Sequence, residues 1–128
     1  MSSSTGTLFI ACGNGSVYSQ SSPASAWTSL GRPVTALTRY LPVLTFDTQG
    51  NLYASSFGGR YNTRPAGNLT WTGEKILTGL TSAAKGFVRA AGASNFAYAV
   101  WEEGNSNPVT DQPTATFDIV FARLNFTG

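Results

Sequence analysis

Short runs of β-branched and aromatic residues alternate with clusters of turn-forming residues along most of this 128-residue chain. Runs of this kind, bounded by Gly, Asn, Ser or Pro, are typical of β-strands. They predict strands over residues 8–12, 16–20, 43–46, 51–55, 86–90, 96–101 and 117–124. The best helical signal, from Leu80 to Arg89, is bracketed by Gly79 and Gly86 and predicts one turn at most. The pattern therefore predicts an all-β fold.

Three predicted turns join consecutive strands into hairpins. Their central residues, which tolerate positive φ, are Asn14-Gly15, Gln49-Gly50 and Ser94-Asn95. A tyrosine lies three residues past each turn, at Tyr18, Tyr53 and Tyr98. The tyrosines are 35 and then 45 residues apart, which indicates an internal repeat.

A Trp-Thr pair follows each of the first two hairpins, at Trp27 and Trp71, where we expect a third strand that ends in Gly. The repeats that these features define span residues 7–36, 41–80 and 86–125. This period is the size of a propeller blade, a small sheet that must stack on its neighbours because it cannot bury its own faces. We therefore expect one all-β domain, 1–128, built of propeller-like repeats of antiparallel strands. A β-sandwich is the alternative, since it also has about seven short strands with regular turns.

The succession of apolar strand, Gly turn, Leu-Tyr-Ala and Trp-Thr resembles the repeats of sialidase-like, or Asp-box, β-propellers. Residues 97–102 and 117–123 likewise resemble the YVVW … DIYFAR blade of that group. The chain departs from the Asp-box, Ser-x-Asp-x-Gly-x-Thr-Trp: residues 20–26 lack its Asp and Gly, and residues 64–70 lack its Asp. The resemblance implies about three blades. Closed propellers usually have about four to eight, so it also implies a homo-oligomer.

Charged residues make up only 11% of the chain, and the formal net charge is +2. Polarity supplied by Ser, Thr, Asn and Gly is typical of secreted lectins, adhesins and virion proteins. The eight basic residues are scattered, which argues against nucleic-acid binding. No apolar run is long enough for membrane insertion, and no signal peptide is visible at the start. These observations predict an extracellular or virion-surface location.

Little in the sequence indicates catalysis. Without His the chain has no Ser-His-Asp triad, and no cofactor motif or metal cluster is recognisable, so we predict a protein that is not an enzyme. Cys12 lies in an apolar run and is predicted to be a buried structural thiol. Glu102 and Asp111 flank a polar loop and would be the carboxylate pair of a glycoside hydrolase fragment, the alternative function. We expect them instead to solubilise that loop.

Candidate binding residues are more numerous. Residues 57–64 are predicted to form a flexible recognition loop containing Arg60, Tyr61 and Arg64. The remaining candidates, for which core packing or loop solubility is the competing interpretation, are Trp27, Trp71, Trp101 and Glu102. We therefore predict a non-catalytic recognition or assembly module whose partners are glycans or neighbouring structural subunits. It would be either a lectin-like oligomer or a structural protein of a virus particle or surface appendage.

Overall fold

The computed structural model describes residues 6–35, 42–56, 60–76, 89–92, 95–106 and 113–126, with side chains outside 89–92, 101–106 and 113–120. These residues form antiparallel strands in three small sheets and contain no helix, which confirms the all-β prediction. Sheet A comprises β1 (Leu8–Ala11), β2 (Val17–Gln20) and β3 (Thr28–Ser29). Sheet B comprises β4 (Val43–Phe46), β5 (Leu52–Ser56), β6 (Arg60–Arg64) and β7 (Lys75–Ile76). Sheet C comprises β8 (Arg89–Gly92), β9 (Phe96–Ser106) and β10 (Pro113–Asn125).

Strands within each sheet follow one another in chain order, so each sheet is a meander. The first two predicted hairpins are confirmed, because β1 pairs with β2 and β4 with β5 around the expected turns. Gly15 and Gly50 have φ values of 88° and 84°, a backbone conformation that favours glycine. Each sheet lies within one of the three repeat ranges, but the sheets do not close into a ring.

Sheet B lies between the other two sheets and is covered on both faces. Consecutive residues of β5 point in opposite directions: Leu52 packs towards sheet A and Tyr53 towards sheet C. The buried cluster between sheets A and B is Phe9, Val17, Leu30 and Leu52. The buried cluster between sheets B and C is Tyr53, Tyr61, Ala97, Ala99 and Leu124. Every residue of β5 is consequently buried.

The predicted recognition loop over 57–64 is wrong for residues 60–64, which form the inner strand β6. Four consecutive residues of this strand, from Tyr61 to Arg64, are buried. The strand carries no alternation of apolar and polar residues, because the polar groups of Tyr61, Asn62 and Thr63 find hydrogen-bond partners inside the protein. The sequence pattern that identifies half-buried strands is therefore missing here.

Hydrogen bonds from β6 reach both neighbouring sheets. Asn62 Nδ2 donates to the carbonyl of Pro33 at 2.8 Å, next to sheet A, and Asn62 Oδ1 accepts from the Gly73 amide at 3.0 Å. Tyr61 Oη donates to the carbonyl of Asn125 at 3.1 Å, at the end of β10. Thr63 Oγ1 donates to the carbonyl of Phe126, the residue after Asn125, at 2.8 Å. One strand thus fixes the relative positions of three sheets.

A second buried polar group organises the turn between β4 and β5. Asp47 is only 5% exposed, and its Oδ1 accepts from the amides of Gln49 and Asn51 at 3.0 and 2.9 Å. Its Oδ2 accepts from the Asn51 side chain and from Tyr53 Oη, at 2.9 and 3.1 Å. The carboxylate thus holds the turn that the sequence predicts at Gln49-Gly50.

Two local predictions are wrong. Cys12 is partly exposed, because it follows the last residue of β1 and enters the turn instead of continuing the buried strand. The two Trp-Thr pairs are also not equivalent. Thr28 starts β3, whereas the strand after Trp71 begins only at Lys75. The predicted helical turn falls mostly on residues 77–88, which lie outside the described residues.

The contacts of Asn62 make a prediction about stability. Replacing Asn62 with Ala leaves the buried carbonyl of Pro33 and the amide of Gly73 without their partner. An unsatisfied buried polar group costs about 1–3 kcal/mol, so we expect Asn62→Ala to lower the free energy of unfolding by about that amount. The loss comes mainly from the Pro33 carbonyl, because Gly73 is exposed and water can reach its amide. Urea denaturation measures this change. The exposed Asn68 is the matched control, and equal effects of Asn68→Ala and Asn62→Ala would contradict the role of Asn62.

The contacts of Tyr53 make a prediction about alkaline stability. Burial, followed by the hydrogen bond to Asp47, raises the pKa of Tyr53 well above its usual range. In the unfolded chain the phenol ionises near pH 10, about its reference value, so stability is fully present below that pH and falls as pH rises above it. We expect the free energy of unfolding to fall more steeply above pH 10 in the wild type than in Tyr53→Phe. Parallel curves from urea denaturation between about pH 8 and 11 would contradict this.

Candidate functional site

A cleft of about 460 Å³ opens between sheet A and the turn end of sheet B. One wall is a row across the inner face of sheet A, in which Phe9 pairs with Ser19 and Ser19 with Thr28. The opposite wall is formed by Gln49 and by Arg64 at the end of β6. Hydroxyl and amide groups thus surround an aromatic floor, an arrangement suited to a small amphiphilic ligand.

Among the described residues that line the cleft, Arg64 alone is charged, and it is 6% exposed. Its guanidinium carbon lies 5.2 Å from the ring centroid of Phe9, and Phe9 makes an edge contact with Phe46 at 5.4 Å. Burial lowers the pKa of Arg64. Among the described residues, its buried Nε has no hydrogen-bond partner. The cleft therefore contains a buried cation that is only partly compensated, by an aromatic face.

The turn side of the cleft is held by the Asp47 network. Asn51, which bonds to Asp47, also accepts from the Ala66 amide at 3.1 Å. This bond brings the turn after β6 against the turn before β5, where a Cβ at Gly50 would lie 3.5 Å from that of Ala66. Gly50 and Gly67 both line the cleft, and both have a positive φ, which favours glycine at these two turn positions.

The structure places Arg64 in the cleft but directs Arg60 and Tyr61, the other two candidates predicted on the same loop, elsewhere. Arg60 forms a salt bridge with Glu74 at 3.0 Å. Tyr61 donates to Asn125, and burial raises its pKa. The three residues that were predicted to act together on one loop are therefore separated.

The predicted tryptophans do not converge on the cleft. Trp71 Nε1 donates to the Leu30 carbonyl at 2.7 Å, and its ring packs on the cluster between sheets A and B, so it contributes to the core. Trp27 is 44% exposed and is absent from the cleft lining. The side chains of Trp101 and Glu102 lie outside the described residues, and so does Asp111.

A second candidate surface, which the sequence analysis missed, is the outer face of sheet C. Phe121 is 65% exposed, and its ring stacks on that of Tyr98 with centroids 4.9 Å apart. Phe96 lies 5.2 Å from Tyr98, and the Arg123 guanidinium lies 5.3 Å from the Phe96 ring. Val100, which pairs with Phe121, is 36% exposed. The alternation of large residues with Ala over 96–100 is the sequence signal for this face, since the Ala residues pack inwards.

The opposite end of the stack carries a smaller apolar surface. Leu8 and Ile10 on the edge strand β1 are 39% and 41% exposed, whereas Phe9 between them is buried. Tyr18 pairs with Ile10 and is half-buried. The stack of three sheets therefore ends in apolar side chains on both sides.

Other kinds of site find little support in the described part of the chain. It contains no group of three His, Cys, Asp or Glu residues placed to hold a metal ion. It also contains no helix that is long and apolar enough to span a membrane. Arg60, Arg64 and Arg123 contact Glu74, Phe9 and Phe96 respectively, so these three arginines do not grip one substrate.

Comparisons with known proteins found no match among family models, curated proteins or solved structures. The resemblance to sialidase-like propellers therefore stays a prediction.

Proposed function

We propose that this chain is a non-catalytic recognition and assembly module whose copies associate through the outer faces of the sheet stack. The observation that carries the proposal is the exposed aromatic face of sheet C, where Phe121 and Tyr98 stack beside Val100. Contiguous exposed apolar side chains on a soluble domain usually mark an interaction site. An outer face of this composition favours contact with another protein surface.

The kind of association follows from the order of the sheets. The inner face of sheet A packs on one face of sheet B, and the inner face of sheet C packs on the other face of sheet B. If the outer face of sheet C packs on the outer face of sheet A in a second copy, the same stacking continues from one chain to the next. Two copies would then supply six sheets, enough to close a propeller-like ring. Head-to-tail contacts that close in this way give a discrete oligomer, whereas contacts that do not close give a filament.

Of the two forms of this module, the outer faces favour the structural one, a component of a virus particle or surface appendage outside the cytoplasm. The glycan-binding form, a lectin-like oligomer, is supported by the cleft, which combines an aromatic floor with hydroxyl, amide and guanidinium groups. The third possibility, a glycoside hydrolase fragment, has less support because Arg60, Arg64 and Arg123 each have a separate partner.

The solution mass of the purified chain, measured by light scattering, tests the assembly. We expect a discrete oligomer in the wild type and dissociation in Phe121→Ser, because the substitution removes the most exposed large apolar side chain among those described on the outer face. Leu69→Ser is the matched control, since Leu69 is 62% exposed but lies on the connection after β6. The control should keep the wild-type mass.

A second variant decides how the copies meet. Ile10→Ser lies on the outer face of sheet A and should dissociate a head-to-tail oligomer as Phe121→Ser does. If the oligomer persists in Ile10→Ser but dissociates in Phe121→Ser, the copies associate through two sheet C faces. That result would contradict the head-to-tail ring. A wild-type chain that is monomeric over a wide concentration range would contradict assembly altogether.

A further inference from the structure

We infer that the cleft between sheets A and B is a binding site for a small carboxylate ligand, with Arg64 as the group that recognises the anion. The inference concerns the ligand class of the cleft and goes beyond the proposed assembly. It holds whether or not the copies associate, because the cleft lies between sheets of one chain.

The first argument is charge. Of the cleft-lining residues that the structure describes, Arg64 alone is ionisable, and none is a carboxylate. Asp47, which is nearby in sequence to the lining residue Gln49, has both oxygens engaged by Gln49, Asn51 and Tyr53. A buried charge is costly unless it is paired and hydrogen-bonded. In the free protein, the ring of Phe9 compensates only part of the cost of burying this guanidinium. A bound anion would offset the remainder.

The second argument is geometry. The buried Nε of Arg64 has no partner among the described residues, so one donor of the guanidinium that lines the cleft is unsatisfied. A planar carboxylate matches that fork with two parallel hydrogen bonds, which favours it over a point-like anion. A volume of about 460 Å³ admits a ring-sized body beside the carboxylate.

The body of the ligand meets two kinds of surface. Phe9 and Phe46 offer an apolar floor, and Ser19 and Thr28 offer hydroxyl groups on the sheet A wall. The shared requirement is therefore a carboxylate on a compact body, which is either aromatic or hydroxylated. Benzoate and glucuronate represent these two bodies and are suitable probes. Their neutral counterparts, benzamide and methyl glucoside, keep the body and remove the charge.

The experiment is titration of the ¹⁵N-labelled chain with each probe, followed through the amide signals of Gly50 and Gly67 at the cleft. We expect at least one of the two acids to shift both signals with saturation below about 10 mM, and its neutral counterpart to bind at least about tenfold more weakly. Binding of benzoate would indicate an aromatic ligand body, and binding of glucuronate would indicate a hydroxylated one. Equal binding of an acid and its neutral counterpart, or no shift with either acid, would overturn the inference.

Variants at position 64 then assign the recognition. Arg64→Met keeps the length and apolar stem of the side chain, and should weaken binding of the acid at least about tenfold, since a charge-assisted pair of hydrogen bonds is lost. Arg64→Lys keeps the charge but not the fork, and should give an intermediate affinity. Wild-type affinity in a folded Arg64→Met variant would overturn the role of Arg64. If Arg64→Met does not fold, the comparison of acid with neutral probe on the wild type decides alone. Light scattering of the same samples reports assembly separately.

Discussion

The structure depends on burying a polar strand. Residues Tyr61 to Thr63 lie inside the middle sheet, where their polar groups need partners because they are buried. Asn62 finds its partner next to sheet A, and Tyr61 and Thr63 find theirs at the end of β10. Apolar packing between sheets is tolerant of small shifts, whereas these hydrogen bonds require defined distances and angles. The polar strand therefore sets how the three meanders sit on one another, and the apolar clusters fill the space that remains.

The same arrangement explains why the candidate sites lie where they do. Sheet B is covered on both faces by sheets A and C. Each of these two sheets packs its inner face against sheet B and has exposed apolar side chains on its outer face. The outer faces keep apolar side chains, and these carry the proposal of assembly. The cleft lies where strand β6 ends, and Arg64, the last residue of β6, lines it between sheets A and B. A single strand thus links the architecture to the candidate ligand site.

The strands and hairpins could be predicted because their signals are local. Gly15 and Gly50 occupy turn positions with positive φ, and the flanking apolar runs pair across them. Strand β6 could not be predicted in this way, since its partners lie far along the chain: Pro33 is 29 residues from Asn62, and Asn125 is 64 residues from Tyr61. Arg64 lines the cleft, but it does so from a buried strand and not from the flexible loop on which it was predicted. Tyr61 is separated from Arg64 because side chains alternate along the strand, whereas Arg60 is on the same face but four residues away, where it pairs with Glu74.

Native-state hydrogen exchange, read residue by residue by NMR, tests most directly whether the polar strand holds the sheets together. If it does, the protected amides of residues 61–64 exchange only through global unfolding, with the same free energy as those of β5, while the edge strand β1 opens at lower free energy. Exchange of residues 61–64 through a local opening, with sheets A and C still protected, would contradict this account. It would mean that apolar packing alone positions the three sheets.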